Sequence, residues 1–215
     1  MPPTQLIIVG SGGHAVSVAD AAVSSGWTVE GFYSPDGSGP VASVGPVFSS
    51  LESLDLENIA LVPGIGSNHV REDALEDVVN LFPSVTVASV IHATAWVSPS
   101  ATVHPGSVIL AQASVGPGSV LGRGALVNTG ASVDHESSLG DFASLGPGAR
   151  TGGNVEIGPR TMVGMQAGIL HGIAVGADTV IGAKSLVSSD IGSNVVAWGT
   201  PAKVVRSRSR EDPYY

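Results

Sequence analysis

The run Asp134-His135-Glu136 sets an imidazole between two carboxylates in a chain that holds six histidines and no cysteine. Histidine titrates near neutral pH, and a neighbouring carboxylate fixes its tautomer and raises its basicity. Both suit a general base working on a nucleophile that must lose a proton. The same triplet in a solvated turn would do no chemistry, so its meaning depends on what surrounds it. Without cysteine, thiolate nucleophiles, disulfides and cysteine-based metal sites are excluded. A second candidate is the loop Gly10-Ser11-Gly12-Gly13-His14, between an apolar run Leu6 to Val9 and an Ala/Val-rich segment, Ala15 to Ser25. In such a loop glycines let backbone amides approach a pyrophosphate at a helix N-terminus. The alternative is that they only allow tight strand-to-helix packing.

The elements that must position His135 are set by a period of six. From Ile91 through Val97, Val103 and Ile109 to Ile181 and Val187, an aliphatic residue recurs every sixth position without insertion, and only Thr151 breaks the rule. Four places after each, the residue is small or β-branched, as at Ala113, Ser119, Ala125, Ala131, Ser137 and Ala143. Gly, Asn, Asp and Pro fill the remainder, residues that turn a chain at low steric cost. Apolar residues do not recur at helical spacing, so each hexapeptide reads as a short strand plus a corner, and the whole as a β-helix. Three strands per coil would make seventeen repeats a little under six coils, roughly 27 Å tall. His135 occupies a corner, where packing does not demand a histidine.

The first ninety residues read differently. Strands over Leu6–Val9, Thr28–Tyr33 and Asn58–Val62 alternate with helices over Ala15–Ser25 and Val70–Leu81, which predicts a small parallel α/β domain with a Rossmann-like opening. Gly10-x-Gly12-x-x-Ala15 matches the dinucleotide fingerprint. Only about 85 residues precede the repeats, half a two-lobed dinucleotide fold, so a mononucleotide or nucleotide sugar is expected rather than NAD. The division expected is 1–88 for this domain, 89–206 for the β-helix and 207–215 for a flexible tail.

Net charge is −9, unevenly spread: residues 1–96 carry ten acids and one base, Arg71, whereas the remainder carries eight of each. An anionic ligand is therefore expected on the repeats or the tail, and no basic stripe suggests nucleic acid. No apolar run is long enough to span a membrane, and the N-terminus lacks signal-peptide features, so a cytoplasmic protein is expected.

In combination, Gly10-Ser11-Gly12-Gly13-His14, Gly64-Ile65-Gly66-Ser67-Asn68-His69-Val70-Arg71, Asn128 to Glu136 and Gly199-Thr200-Pro201-Ala202-Lys203 resemble the hexapeptide-repeat sugar acetyltransferases. These include bacillosamine and perosamine N-acetyltransferases and sialic acid O-acetyltransferases. The resemblance implies a left-handed parallel β-helix, a homotrimer, and acetyl-CoA in the groove between neighbouring helices. It implies that His135 is the general base, oriented by Glu136 and Asp134, and that the Gly153 amide faces the thioester oxygen. Acetyl-CoA contacts are implied at Ser144, Gly153, Lys184, Gly199, Pro201 and Lys203. Nucleotide-sugar contacts are implied at Gly10, Gly12, Gly13, His14, Asp36, Gly66 and Asn68. Several relatives carry a second histidine where this chain has Ser144, and consecutive acids where it has Ser34-Pro35-Asp36.

The expected reaction is direct N-acetylation of a nucleotide-linked amino sugar, with O-acetylation of a sugar hydroxyl and a metal-binding or structural β-helix as alternatives. His171 follows His135 by two coils, about 10 Å along one edge. The trimeric carbonic anhydrases of this fold place a third zinc ligand five residues after one such histidine. Here Gly140 and Gly176 stand at those places, so no metal is expected.

Overall fold

The computed structural model describes residues 4–214. It opens with strand β1 (Gln5–Val9), helix α1 (Gly13–Ser24), β2 (Thr28–Tyr33), a 3-10 turn at Pro40–Ser43, β3 (Val47–Phe48), β4 (Ile59–Pro63), helix α2 (Asn68–Leu81) and β5 (Thr86–Val87). All five strands run parallel, in the order β3-β2-β1-β4-β5. Strand residues alternate between the two covered faces. Leu6 and Ile8 pack with Ala15, Val18 and Ala22 of α1, whereas Ile7 and Val9 pack with Leu61 and Val78 on the α2 side. Four of the five buried residues of α1 fall at helical spacing, Ala15, Val18, Ala19 and Ala22, with Ala21 buried beside them. Helix α2 buries Asn68, Arg71, Leu75 and Val78, so half of its inward stripe is polar. Each helix starts two residues earlier than its apolar pattern suggests.

Seventeen two-residue strands follow at six-residue spacing, β6 (Val90–Ile91) to β22 (Leu186–Val187). From β6 to β19 each pairs in parallel with the strand three places on, as Val108 does with Val90 and Leu126, so one coil takes eighteen residues. The coil is three-sided. The second residue of each strand points inward, and Ile109, Val115, Leu121, Val127, Leu139 and Leu145 stack into one continuous core with the small residues of the corners. Strands β23 (Val195–Gly199) and β24 (Ala202–Ser207) form an antiparallel hairpin that closes the far end. No helix among the described residues is long and apolar enough to cross a membrane.

Helix α1 sits on the coil face that begins with β6, where Val90, Val108, Leu110 and Leu126 join its core cluster. Arg71 completes this junction. Its Nε donates to Gly124 O (2.9 Å) and its Nη2 to Phe142 O (2.8 Å), both in the coil. Nη1 donates to Ile65 O (3.0 Å), and Nη2 also to Asn68 Oδ1 (2.9 Å), in the small domain. Arg71 is fully buried without an ion pair among the described residues, and burial lowers its guanidinium to about 10, still charged at neutral pH.

The tail corrects an expectation. Arg208 is buried, donating through Nη1 to Asp178 O (2.8 Å) and through Nη2 to Asp212 O (2.7 Å). Arg210 reaches Glu72 (2.9 Å) and Asp73 of α2, and the Tyr214 hydroxyl accepts the Asn68 N–H (2.6 Å). Residues 208–214 are therefore strapped across the small domain and the coil rather than loose; Tyr215 lies outside the described residues.

Arg71→Met keeps volume but strips the Gly124 and Phe142 carbonyls of their charged donor. It is expected to cost about 3 kcal/mol and lower Tm by roughly 10 °C, measured by calorimetry, with easier proteolysis between the small domain and the coil.

Candidate active site

His135 sits on the corner between strands β13 (Ser132–Val133) and β14 (Ser138–Leu139). The corner is pinned from both sides. The His135 carbonyl accepts from Asn154 N (2.8 Å), and Glu136 N donates to Pro117 O (2.8 Å). The imidazole is 55% exposed, with Nδ1 at 3.2 Å from Glu136 Oε2. That contact makes Nδ1 the protonated nitrogen when the ring is neutral and leaves Nε2 as the free base. Glu136 reaches Nδ1 from a left-handed backbone (φ 56°), a conformation that costs a non-glycine residue about 1 kcal/mol.

Asp134 plays a different part from Glu136. Its Oδ1 accepts the backbone N–H of His135 (2.7 Å), so it shapes the corner and does not touch the ring. The imidazole lies over Gly153, one coil further on, where a Cβ would collide with Cε1 and Nε2. Gly153 N–H has no hydrogen-bond partner among the described residues and is free to donate. The base nitrogen thus lies against a residue whose amide is unengaged.

The residues expected to hold a nucleotide sugar divide between two hollows. Gly10 lines a cavity of about 860 Å³ with Ser11, Tyr33, Ser34, Asp73 and Asp77, at the carboxyl ends of β1 and β2 and beside α2. Gly10 adopts φ +128°, and a Cβ there would strike Ile65 and the Gly64 carbonyl. Gly12 and Gly13 open α1, and a Cβ at either would meet free space. His14 and Gly66 line a second cavity, about 570 Å³, with His69, Ser144, Met162 and Tyr214. Burial and the nearby Arg71 lower the His14 imidazole to about 4, so it is neutral at physiological pH.

Asn68 departs from its expected role. Its Nδ2 donates to Arg160 O (2.9 Å) and its Oδ1 accepts from Arg71, so a buried structural bridge occupies the side chain, and Tyr214 takes its amide. Asp36 is exposed and held by Ser34 (2.5 Å) and Ser38 (2.9 Å), whose hydrogen bonds keep its carboxyl below the usual range. Tyr33, Asp73 and Asp77 line the first cavity, and His69 and Tyr214 the second, without belonging to the expected set of ligand contacts. Tyr33 ends β2, His69, Asp73 and Asp77 lie on α2, and Tyr214 lies in the tail, and no local pattern in the sequence sets them apart.

Of the residues expected at the coenzyme, Lys184, Gly199 and Pro201 gather at the hairpin end of the coil. Gly199 N donates to Ser185 Oγ (3.0 Å), and Thr200 Oγ1 to Lys184 O (3.5 Å). Lys203 is exposed on β24. Ser144 stands apart in the second cavity, and Gly153 on the His135 corner. No group of three metal-binding side chains occurs among the described residues.

A parallel β-helix that holds an outward imidazole–carboxylate pair over a free amide, joined to a glycine-loop α/β domain, defines a hexapeptide-repeat acyltransferase. The comparisons agree. Residues 5–78 match the family model of the PglD N-terminal domain. The acetyltransferase domain of PglB from Neisseria gonorrhoeae FA1090, in complex with acetyl coenzyme A, is 34% identical over 94% of this chain and 100% of that one, with a TM-score of 0.87. PerB from Caulobacter crescentus, in complex with CoA and GDP-perosamine, is 32% identical over 94% and 97%, with a TM-score of 0.86. WeeI from Acinetobacter baumannii AYE, at 20% identity and a TM-score of 0.83 over 94% of this chain and all of that one, shares the fold. No curated protein sequence matches the chain. The chain belongs to the family of hexapeptide-repeat bacillosamine and perosamine N-acetyltransferases, with the left-handed β-helix of that family, and is an acetyltransferase that uses acetyl-CoA.

Gly153→Ala requires no unusual backbone, yet its methyl would occupy the space of the His135 ring. It is expected to lower kcat about 100-fold with Tm nearly unchanged, as a misplaced catalytic group does, read from steady-state kinetics beside thermal melting.

Proposed function

We propose that the chain transfers acetyl from acetyl-CoA to the amino group of a nucleotide-linked amino sugar, directly and without an acyl-enzyme. The observation that carries this is the His135 corner, with Glu136 on Nδ1, Nε2 free, and the Gly153 N–H open beside it. A sugar amine is largely protonated in water and attacks only as the free base. His135 Nε2 takes the proton as the nitrogen closes on the thioester carbonyl, and the Gly153 amide receives the developing oxyanion. Glu136 stabilises the imidazolium so formed. Collapse expels the CoA thiolate, which takes the proton from His135. PerB, whose crystal holds CoA and GDP-perosamine, supports an amino-sugar nucleotide as acceptor.

Residues 1–88 would bind the nucleotide end of the acceptor, with Gly12 and Gly13 offering amides to the pyrophosphate, Gly10, whose own amide is held by the Tyr33 carbonyl (2.8 Å), leaving room for the close approach, and His14 and Gly66 meeting the sugar. Asp36, in the turn that follows β2, would meet the base. Residues 89–206 would carry the chemistry, with Lys184, Gly199, Pro201 and Lys203 along the coenzyme and Ser144 near the acetyl group. The geometry favours a homotrimer. The His14 cavity lies on the coil face that meets the small domain, whereas His135 lies on the corner opposite that face. One copy therefore cannot bring its own acceptor to its own base, and a neighbouring corner must complete the site. Acetyl-CoA and nucleotide sugars point to the cytoplasm.

The test follows thiol release from acetyl-CoA against UDP-, GDP- and dTDP-linked amino sugars, in a protein without thiols of its own. One amino sugar is expected to support turnover, and His135→Ala to reduce it by about 100-fold or more while coenzyme binding persists. Turnover only with hydroxyl acceptors would transfer the assignment to O-acetylation, and an unimpaired His135→Ala variant would remove that residue as base.

A further inference from the structure

Thr151 is the one polar residue in the inward column of the coil, and it lies directly beside the His135 corner. On this side the amide after each strand bonds to the backbone oxygen one coil on: Ser98 to Val115 (2.9 Å), Gly116 to Val133 (2.8 Å), Gly152 to Ile169 (2.8 Å) and Leu170 to Val187 (3.0 Å). Asp134 is the exception. Its N–H goes to the Thr151 hydroxyl oxygen instead (3.0 Å), and β13 keeps a single register pair, Ser132 with Arg150, where the neighbouring ladders keep two. Thr151 is 6% exposed, so a valine would fill its place with less desolvation.

We propose that Thr151 is a positioning residue for the acetyl transfer. By diverting the Asp134 amide it sets the carboxylate that holds the His135 backbone N–H (2.7 Å), and with it the tilt that lays the imidazole over Gly153. The inference rests on His135 being the base. Thr151→Val has nearly the same shape and lets the Asp134 amide return to the ordinary ladder. It is expected to lower kcat about tenfold, leave the KM for acetyl-CoA unchanged, and keep or raise Tm. Thr151→Ser, which retains the hydroxyl, is expected to restore kcat. Wild-type kcat in Thr151→Val, or equal losses of kcat and Tm in both variants, would overturn the proposal. A fully active His135→Ala would instead overturn the base assignment beneath it.

A second inference stands on the tail. Glu211, Asp212, Pro213 and Tyr214 form one wall of the cavity that holds His14 and Ser144. The wall is held by the anchors at Arg208 and Arg210 and by the bond between Tyr214 and Asn68 N–H (2.6 Å). Asp212 is engaged by Ser209 (2.7 Å) and Arg206 (3.3 Å), whereas the Glu211 carboxylate is exposed. We infer that this wall selects the acceptor, its acidic rim drawing a sugar that carries an ammonium group in water over one that offers a neutral hydroxyl. This too rests on acetyl transfer to a sugar entering that cavity.

Ending the chain after Arg208 removes the wall and keeps the Asp178 anchor. The KM for the amino-sugar acceptor is expected to rise at least tenfold and that for acetyl-CoA to stay fixed, with Glu211→Gln moving acceptor KM in the same direction. An unchanged acceptor KM in the shortened enzyme, or a parallel loss of Tm and of both KM values, would overturn the inference. Absence of wild-type turnover on every amino sugar would overturn the acceptor assignment itself.

Discussion

Everything in this molecule depends on the parallel ladder that joins each residue to the one eighteen places later. Two-residue strands are too short to hold on their own, and what fixes them is stacking. Each coil passes its amides to the next and buries one aliphatic side chain per strand in a shared column. A corner residue is thereby placed by its neighbours above and below as firmly as by its own backbone. His135 stands over Gly153 because both occupy the same corner of successive coils, and the glycine is what leaves room for the ring.

Electrostatics enter at the junction with the small domain. The acidic head has one base, and it is spent inside the molecule, where Arg71 ties loop carbonyls of the head to corner carbonyls of the coil. Such a residue is retained only if all its donors are met, since an unmet buried cation would cost more than the contact gains. The same guanidinium helps to hold His14 neutral. A neutral imidazole can donate or accept beside an anionic ligand without competing with Arg71 for charge.

Much of the architecture was legible because it is periodic. Six-residue spacing gave the strands, the inward column and the outward direction of His135, all consequences of local geometry. The glycine loop and its helix were legible for the same reason, since Gly10 needs a backbone that other residues avoid. What escaped was long-range. Asn68 reads as a loop residue before a helix, and nothing nearby says that the carbonyl of Arg160, ninety-two residues on, will occupy its side chain. The polar tail reads as loose because its partners, Asp178, Glu72 and Asn68, are dozens of residues away. Thr151 was visible as an irregularity in the column, but its effect on Asp134 appears only when the coils are stacked.

The eighteen-residue register also limits how a chain of this kind can change in length. The ladder hydrogen bonds around His135 come from the coils directly above and below it, so that stack does not itself require the coils further out. Between Val133 and Gly153 an insertion absorbed into the coil breaks that stack: a few residues would rotate the glycine to another edge of the prism, and a full coil would put a stranger beneath the imidazole, so only a loop extruded at a corner could be added. Within the ladder, length changes in quanta of eighteen residues, and the quantum that contains the site has no room for another.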